Sequence, residues 1–347
     1  MTKKHSHLLM LISAILILLS GCSSKLHIPT YADAPATAPA AMQHPLSIQY
    51  LGVGGHLIKY DGVTLLTAPS FTNPHFMRVG PFMPISTDKE RVDQYLPDVS
   101  DAEMILVGHA HYDHLMDVPY IMNQYATKAD VYGSRTMANT LMPAVPAERI
   151  HVMNDLMGNI SKPGEWVYSH SGRIRIMALE SFHAPHFMGM KFMQGTYDEP
   201  QESLPWHAFG WKEGQTLAFL IDFLDQNKEP AYRIFYQDSA SQEPLGLVPE
   251  LDDQKDIDIA ILCPASFSQV DNYPESIVKN TQAKHFILGH WEDFFANDLS
   301  GEQRFVRNTN QDEFIERLNT VLPAGSDWTL PALFSIQYFA PEGASAQ

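Results

Sequence analysis

Ile105-Leu106-Val107-Gly108-His109-Ala110-His111-Tyr112-Asp113-His114 is the stretch that decides how the chain folds. An apolar run, Met104 to Val107, stops at a glycine and gives way to metal-binding side chains. A short apolar run closed by Gly reads as a buried strand, so the cluster sits at a strand's carboxyl end. Successive side chains of an extended chain alternate sides. His109 and His111 therefore share a side, and both imidazoles can grip one cation. Asp113 and His114 follow as the chain turns toward a helix expected over Met116 to Tyr125, placed to serve a second cation next door. Imidazole with carboxylate suits zinc, manganese or iron.

Three more residues of ligand type close apolar strands further along. His183 ends the strand expected over Gly172 to Phe182, where Ile174, Ile176 and Ala178 alternate. Asp238 follows Ile234-Phe235-Tyr236-Gln237, and His290 follows Phe286-Ile287-Leu288-Gly289. His186, three residues after His183, is the alternative for the same place; His183 is favoured because it ends the strand directly, which leaves His186 to support a ligand, contact substrate or sit as an ordinary loop histidine.

His-x-His-x-Asp-His after an apolar strand resembles the signature of the metallo-β-lactamase superfamily. The resemblance implies an α/β fold, the αββα sandwich, with two mixed β-sheets packed face to face and helices outside. It implies two divalent metal ions, Zn2+ first, with Mn2+ or Fe as alternatives. His109, His111 and His183 would hold one metal, Asp113, His114 and His290 the other, and Asp238 would bridge them. A hydroxide between the two ions would attack a carbonyl or phosphorus centre, with Asp113 and His290 as the residues expected to act catalytically. No Ser or Cys nucleophile is required.

The opening is similar to one branch of that superfamily, which contains the N-acyl phosphatidylethanolamine phospholipase D-like enzymes and the sugar-phosphate lactonases. Tyr50-Leu51-Gly52, Leu57-Ile58 and Thr64-Leu65-Leu66-Thr67-Ala68-Pro69 bear the likeness. Val53 stands where the branch has His, Ala68 where it has the Asp of Thr-Asp-Pro, and Gln237-Asp238-Ser239 where it has Gly-Asp-Thr. These departures spare the ligand set and leave the substrate open. The resemblance spans roughly residues 46–300.

The amino terminus reads as a secretory signal. Lys3 and Lys4 precede an apolar core, Leu8 to Leu19, which is short for a membrane span. Leu19-Ser20-Gly21-Cys22 resembles a bacterial lipobox, implying cleavage before Cys22 and a lipid on that thiol. Ser23 behind it implies an outer-membrane lipoprotein of the cell envelope, facing the periplasm. Residues 1–21 are thus expected to be signal peptide, 22–45 (rich in Ala, Pro, Ser and Thr) a flexible tether, and 46–347 one hydrolase domain.

Hydrophobic residues make up 45% of the 347, enough for a sizeable core, and the formal charge is -17. Such an acidic balance excludes a general nucleic-acid binder, because no basic excess is available to neutralise phosphates. The chain holds two cysteines. With Cys22 lipidated, Cys263 has no partner and reads as a buried strand thiol, and no cysteine-based zinc knuckle is possible. The glycines of Gly52-Val53-Gly54-Gly55 precede a strand, not a helix, so a phosphate loop is discounted.

Residues 68–87 and 182–197 are loops rich in Met and aromatic side chains, expected either to pack on themselves or to form an apolar entrance. An apolar entrance on a membrane-tethered enzyme would suit an amphiphilic ester or phosphodiester, a small-molecule or lipid-like substrate. The alternatives are a lactonase or β-lactamase-type amide or ester hydrolase, a non-catalytic metal-binding scaffold, and a di-iron redox protein. Asp117 is expected on a helix face, with support of a ligand imidazole as the alternative. Carboxylates in Trp291-Glu292-Asp293-Phe294-Phe295 are expected to orient ligands or cap a turn. His56, His75, His151, His170, His207 and His285 lack ligand context.

Overall fold

The computed structural model describes residues 23–31, 42, 45–186 and 188–340. Among the described residues the first element is β1 (Ser24–Lys25), then comes an antiparallel meander of β2 (Leu46–Gly52), β3 (Gly55–Tyr60) and β4 (Val63–Thr67). Next come α1 (Lys89–Tyr95), β5 (Ala102–Leu106), α2 (Tyr112–Leu115), α3 (Val118–Gln124), β6 (Asp130–Gly133), α4 (Arg135–Leu141) and β7 (Ile150–Val152). The second half runs β8 (Val167–Tyr168), β9 (Ile174–Glu180), β10 (Leu217–Leu224), β11 (Pro230–Tyr236), β12 (Ile259–Leu262), α5 (Glu275–Thr281) and β13 (His285–Leu288). It closes with β14 (Arg304–Phe305), α6 (Gln311–Val321), β15 (Asp327–Thr329) and β16 (Ile336–Phe339).

Two seven-stranded sheets result, ordered β16-β2-β3-β4-β5-β6-β7 and β15-β13-β12-β11-β10-β9-β8. Both mix parallel and antiparallel pairs. Three cores divide the apolar side chains. Ile58, Leu65, Leu106, Ile176, Phe219, Ile234 and Ile261 fill the space between the sheets. Leu66, Ile105 and Val131 join Val118, Ile121, Met137 and Leu141 from the helices outside the first sheet. Ala260, Leu262, Phe286 and Leu288 join Ile277, Val278, Phe314 and Leu318 outside the second. Alternation explains the partition. Leu65 and Leu66, or Ile261 and Leu262, point to opposite faces of one sheet, and both faces are covered. That is why these strands read as unbroken apolar runs, and the architecture is the αββα sandwich.

The expected tether, residues 22–45, needs correction over its described part. Ser24 and Lys25 pair with Phe305 and Arg304, Tyr31 donates its N–H to Leu330 O at 2.7 Å, and Leu26 and Ile28 pack on the second helix layer. Low apolar periodicity hid this, since two aliphatic residues and a few backbone bonds are enough to dock a short segment. The expected signal peptide, residues 1–21, and Cys22 lie outside the described residues, as does Phe187. Among the described residues no helix is long and apolar enough to cross a membrane. The helix expected over Met116 to Tyr125 begins earlier, as the single turn α2, and continues as α3 after a break at Met116 and Asp117.

Candidate metal centre

Strand direction gathers the chemistry at one edge of the sandwich. β9 and β11 both run antiparallel to β10, and β12 and β13 run parallel to β11, so β9, β11 and β13 point the same way. Their carboxyl ends lead into His183, Asp238 and His290, while β5 of the other sheet leads into His109 and His111. Backbone bonds join the two sheets at that edge. Leu217 N–H donates to Gly108 O at 2.8 Å, and His290 N–H to Val53 O at 2.8 Å.

All seven predicted side chains meet there, in three overlapping groups: His109, His111 and His183; His109, His114 and Asp238; Asp113, His114 and His290. Within each group one ligand atom per residue lies within 4.8 Å of the others. Ring centroids are 4.7 Å apart for His109 and His111, 4.5 Å for His109 and His183, and 5.2 Å for His114 and His290. Asp238 sits between the sets, with Oδ1 3.1 Å from His109 Nδ1 and Oδ2 3.3 Å from His114 Nδ1. Asp113 Oδ2 is 3.6 Å from both His114 Nε2 and His290 Nε2.

Every one of these side chains is buried, and burial next to other imidazoles sets their charge. Desolvation, then His109 and His183, drive the pKa of His111 well below the ordinary histidine range. Desolvation, then His109 and His186, do the same to His183. Burial also opposes charge on His114, yet Asp238 and Asp113 hold its pKa above the ordinary value. Burial opposes ionisation of Asp113 and Asp238, but neighbouring histidines win: His114 and His290 for Asp113, His109 and His114 for Asp238. Both carboxyls sit well below the usual carboxylate range.

The donor set fits a pair of cations on its own terms. His111 Nε2, both ring nitrogens of His114 and His290 Nδ1 are buried without a hydrogen-bond partner. Buried imidazole nitrogens without partners, gathered beside two buried carboxylates, are costly unless a cation is bound among them. The nitrogen and carboxylate oxygen donors are those of zinc, manganese or iron sites.

Hydrogen bonds separate the two histidines of the 183–186 segment. His183 Nδ1 lies 2.6 Å from Ala184 O. A carbonyl only accepts, so Nδ1 carries the proton and Nε2 keeps its lone pair. His186 Nδ1 lies 3.1 Å from Phe192 N–H, which only donates, so there the lone pair is on Nδ1. His186 stacks on His183 at 4.8 Å and lies 5.5 Å from His111. Burial, the dominant cause, pushes its pKa down to about 4.

No family model matches the chain, and no curated protein matches it. Solved structures do resemble it in shape. A metallo hydrolase from Ignicoccus hospitalis superposes with a TM-score of 0.48 at 12% identity, over 85% of this chain and 98% of its own. YhfI from Bacillus subtilis, a metallo-β-lactamase fold protein, gives 0.45 at 11%, over 86% and 100%. An isothiocyanate hydrolase from Delia radicum gut bacteria gives 0.49 at 11%, over 85% and 99%.

Several supporting residues escape a sequence reading. A β-carbon on Gly108 would collide with the Asp238 carboxylate, and one on Gly54 would meet His114 Nδ1 at 2.7 Å. Glu292 is fully buried; its carboxylate accepts from Tyr50 OH and from Val53 N–H. Val53 and His290 both have positive φ, 52° and 49°, rare and strained for residues with a β-carbon. Glu292 thus braces the turn whose Val53 carbonyl holds His290. Asp293 instead pairs with Arg307 at 3.0 Å. Asp117 is not a helix-face carboxylate: it is buried and accepts N–H bonds from Phe71 and Thr72 at 2.7 and 2.9 Å, anchoring that loop. Cys263 is a buried free thiol whose pKa desolvation raises. Among the described residues none of His56, His75, His151, His170, His207 or His285 joins the groups.

Proposed function

We propose that this protein is a two-metal hydrolase of the metallo-β-lactamase type, acting on an ester or phosphodiester of an amphiphilic substrate. The observation behind it is the convergence of seven ligand-type side chains on one edge, with buried imidazole nitrogens left unpartnered. His109, His111 and His183 would hold one cation, and Asp113, His114 and His290 the other, with Asp238 between. Bound there, a pair of cations such as Zn2+ would acidify a water and stabilise charge developing on the substrate oxygen. The protein supplies the rest. Asp113 is ionised at neutral pH and lies beside His290, placed to orient a water. Depressed pKa values keep His111 and His183 neutral, as ligation requires.

The surroundings favour an amphiphile. Met77, Phe82, Met83, Met188, Met190 and Trp206 are exposed. They lie on three loops tied together: Ile85 N–H donates to Trp206 O at 2.9 Å, and Phe192 meets Phe209 at 6.5 Å. Aromatic contacts lead from both sides of the site toward this rim, His186 to Phe192 on one and His290 through Phe294 and Phe295 to Phe76 on the other. Exposed apolar groups clustered around a polar site mark a binding surface. Lipid on Cys22 would place that rim in the cell envelope, at the outer membrane.

Metal-loaded protein is assayed on a lipid phosphodiester, an aliphatic lactone and a β-lactam, beside His111→Ala and Asp238→Ala. The reading expects metal and turnover lost together in both variants, with the phosphodiester or another amphiphilic ester preferred. Full activity without bound metal contradicts the mechanism, and clear preference for a small lactone contradicts the substrate class.

A further inference from the structure

We propose that His186 is a substrate-binding residue, a fixed hydrogen-bond donor whose Nε2–H serves an oxygen of the bound substrate, and not a metal ligand. The inference rests on the metal centre proposed above and assigns a role to a residue outside its ligand set.

The argument is one of lone pairs. A backbone amide cannot accept, so the Phe192 N–H at 3.1 Å fixes Nδ1 of His186 as the acceptor. One lone pair on the ring means a neutral imidazole with its proton on Nε2. A nitrogen bearing a proton cannot ligate a metal, and the other nitrogen is already engaged. His183 shows the reverse pattern, its Nδ1–H given to Ala184 O and its Nε2 free. The two histidines, three residues apart, are thus set up for opposite tasks.

Placement supplies the rest. The ring lies beside the site, stacked on His183 at 4.8 Å and 5.5 Å from His111. The side chains that act on it electrostatically are Asp113, His109 and His290, drawn from both metal-binding groups, and Lys191. Among the described residues no protein group accepts a bond from Nε2. The loop that presents it is held: His186 N–H donates to Met190 O at 2.9 Å, and Gly189 N–H to Gln269 Oε1 at 2.9 Å. Phe192 packs its ring on the imidazole at 5.6 Å. A donor held this way pays little reorganisation when negative charge grows on a carbonyl or phosphoryl oxygen. Removing one donor of this kind lowers kcat by about 10²–10³-fold.

The test uses the full chain, wild type, His186→Phe and His186→Gln, loaded with zinc, and inorganic phosphate as the oxyanion probe. Gln carries an N–H near the position of Nε2; Phe keeps the ring and removes the donor. The proposal expects unchanged metal content in both variants. It expects phosphate affinity roughly tenfold weaker in His186→Phe and largely restored in His186→Gln, a size set by one charge-assisted hydrogen bond. Multiple-bond proton–nitrogen NMR of wild type should show His186 protonated at Nε2 alone. A metal lost from His186→Phe, a proton on Nδ1, or unchanged phosphate affinity would overturn it. Should no ester be turned over while tautomer and phosphate results hold, the hydrolase reading fails and the donor stands.

Discussion

At the scale of single residues, the centre depends on atoms that are missing as much as on atoms present. Gly108 leaves room for the Asp238 carboxylate and donates its N–H to it at 3.1 Å. Gly108→Ala should displace Asp238 and lower zinc content and kcat/KM together by at least tenfold. Gly62→Ala is the control: φ is +81° but nothing crowds its β-carbon, so it should cost about 1 kcal/mol of stability and leave metal content alone. Glu292→Ala strips a partner from buried Tyr50 and Val53; it should weaken zinc binding about 10–100-fold through a misplaced His290, measured by chelator competition. His56 gives a pH signature. Buried between Tyr50 and Tyr236, its ring is pushed by desolvation from 6.5 down to about 3. Between those values the unfolded chain takes up a proton that the folded one refuses. Stability therefore falls as pH drops from 6.5 toward 3, by up to about 1.4 kcal/mol per pH unit from this group. Urea midpoints of metal-free protein at pH 7.5 and 5.0 should differ less in His56→Gln than in wild type. The ligand-type residues were legible because each closes an apolar run. Glu292 was legible only as a carboxylate that could orient a ligand or cap a turn; its partner Val53 lies 239 residues away and nothing local announces that contact.

At the scale of elements, what the chain shows plainly is what both of its neighbouring layers bury. β5, β9, β11 and β13 stand where the apolar runs before His109, His183, Asp238 and His290 put them, because both faces of a sandwiched strand are covered by apolar layers. Elements with one wet face were missed. α6 buries Phe314 and Leu318 and exposes most of the rest; its signals were the Asn310 cap, accepting from Glu313 N–H, and the acidic first turn. α4 is buried from Thr136 to Leu141, but Thr136, Asn139 and Thr140 break its apolar pattern and only the Ser134 cap announces it. The amino-terminal segment was misread because only two residues paired with β14, backbone bonds at Tyr31 and the packing of Leu26 and Ile28 hold it. Deleting residues 23–31 should lower the melting temperature while leaving zinc content and kcat unchanged. Far from the site, β10 and β11 share a buried ion pair: Arg233 Nε and a terminal nitrogen reach the two oxygens of Asp222 at 2.7 Å. Asp222→Ala leaves that guanidinium with Asp253 as its remaining acid and should cost about 3 kcal/mol in urea unfolding.

At the scale of the molecule, two sheets covered by helices bring their strand ends to one edge, and the loops that leave this edge carry the exposed Met and aromatic side chains. Replacing Phe82, Met83 and Met188 together with Ser should spare hydrolysis of a soluble chromogenic ester and cut activity on the same headgroup in mixed phospholipid vesicles by at least tenfold. Equal loss on both would place these side chains in folding and not in substrate delivery. The most direct test of the centre itself is anomalous X-ray diffraction at the zinc absorption edge from crystals grown with zinc. The account predicts two peaks, one among His109, His111 and His183, the other among Asp113, His114 and His290, with Asp238 beside both. Diffraction that shows these side chains in place and no anomalous density among them would contradict it.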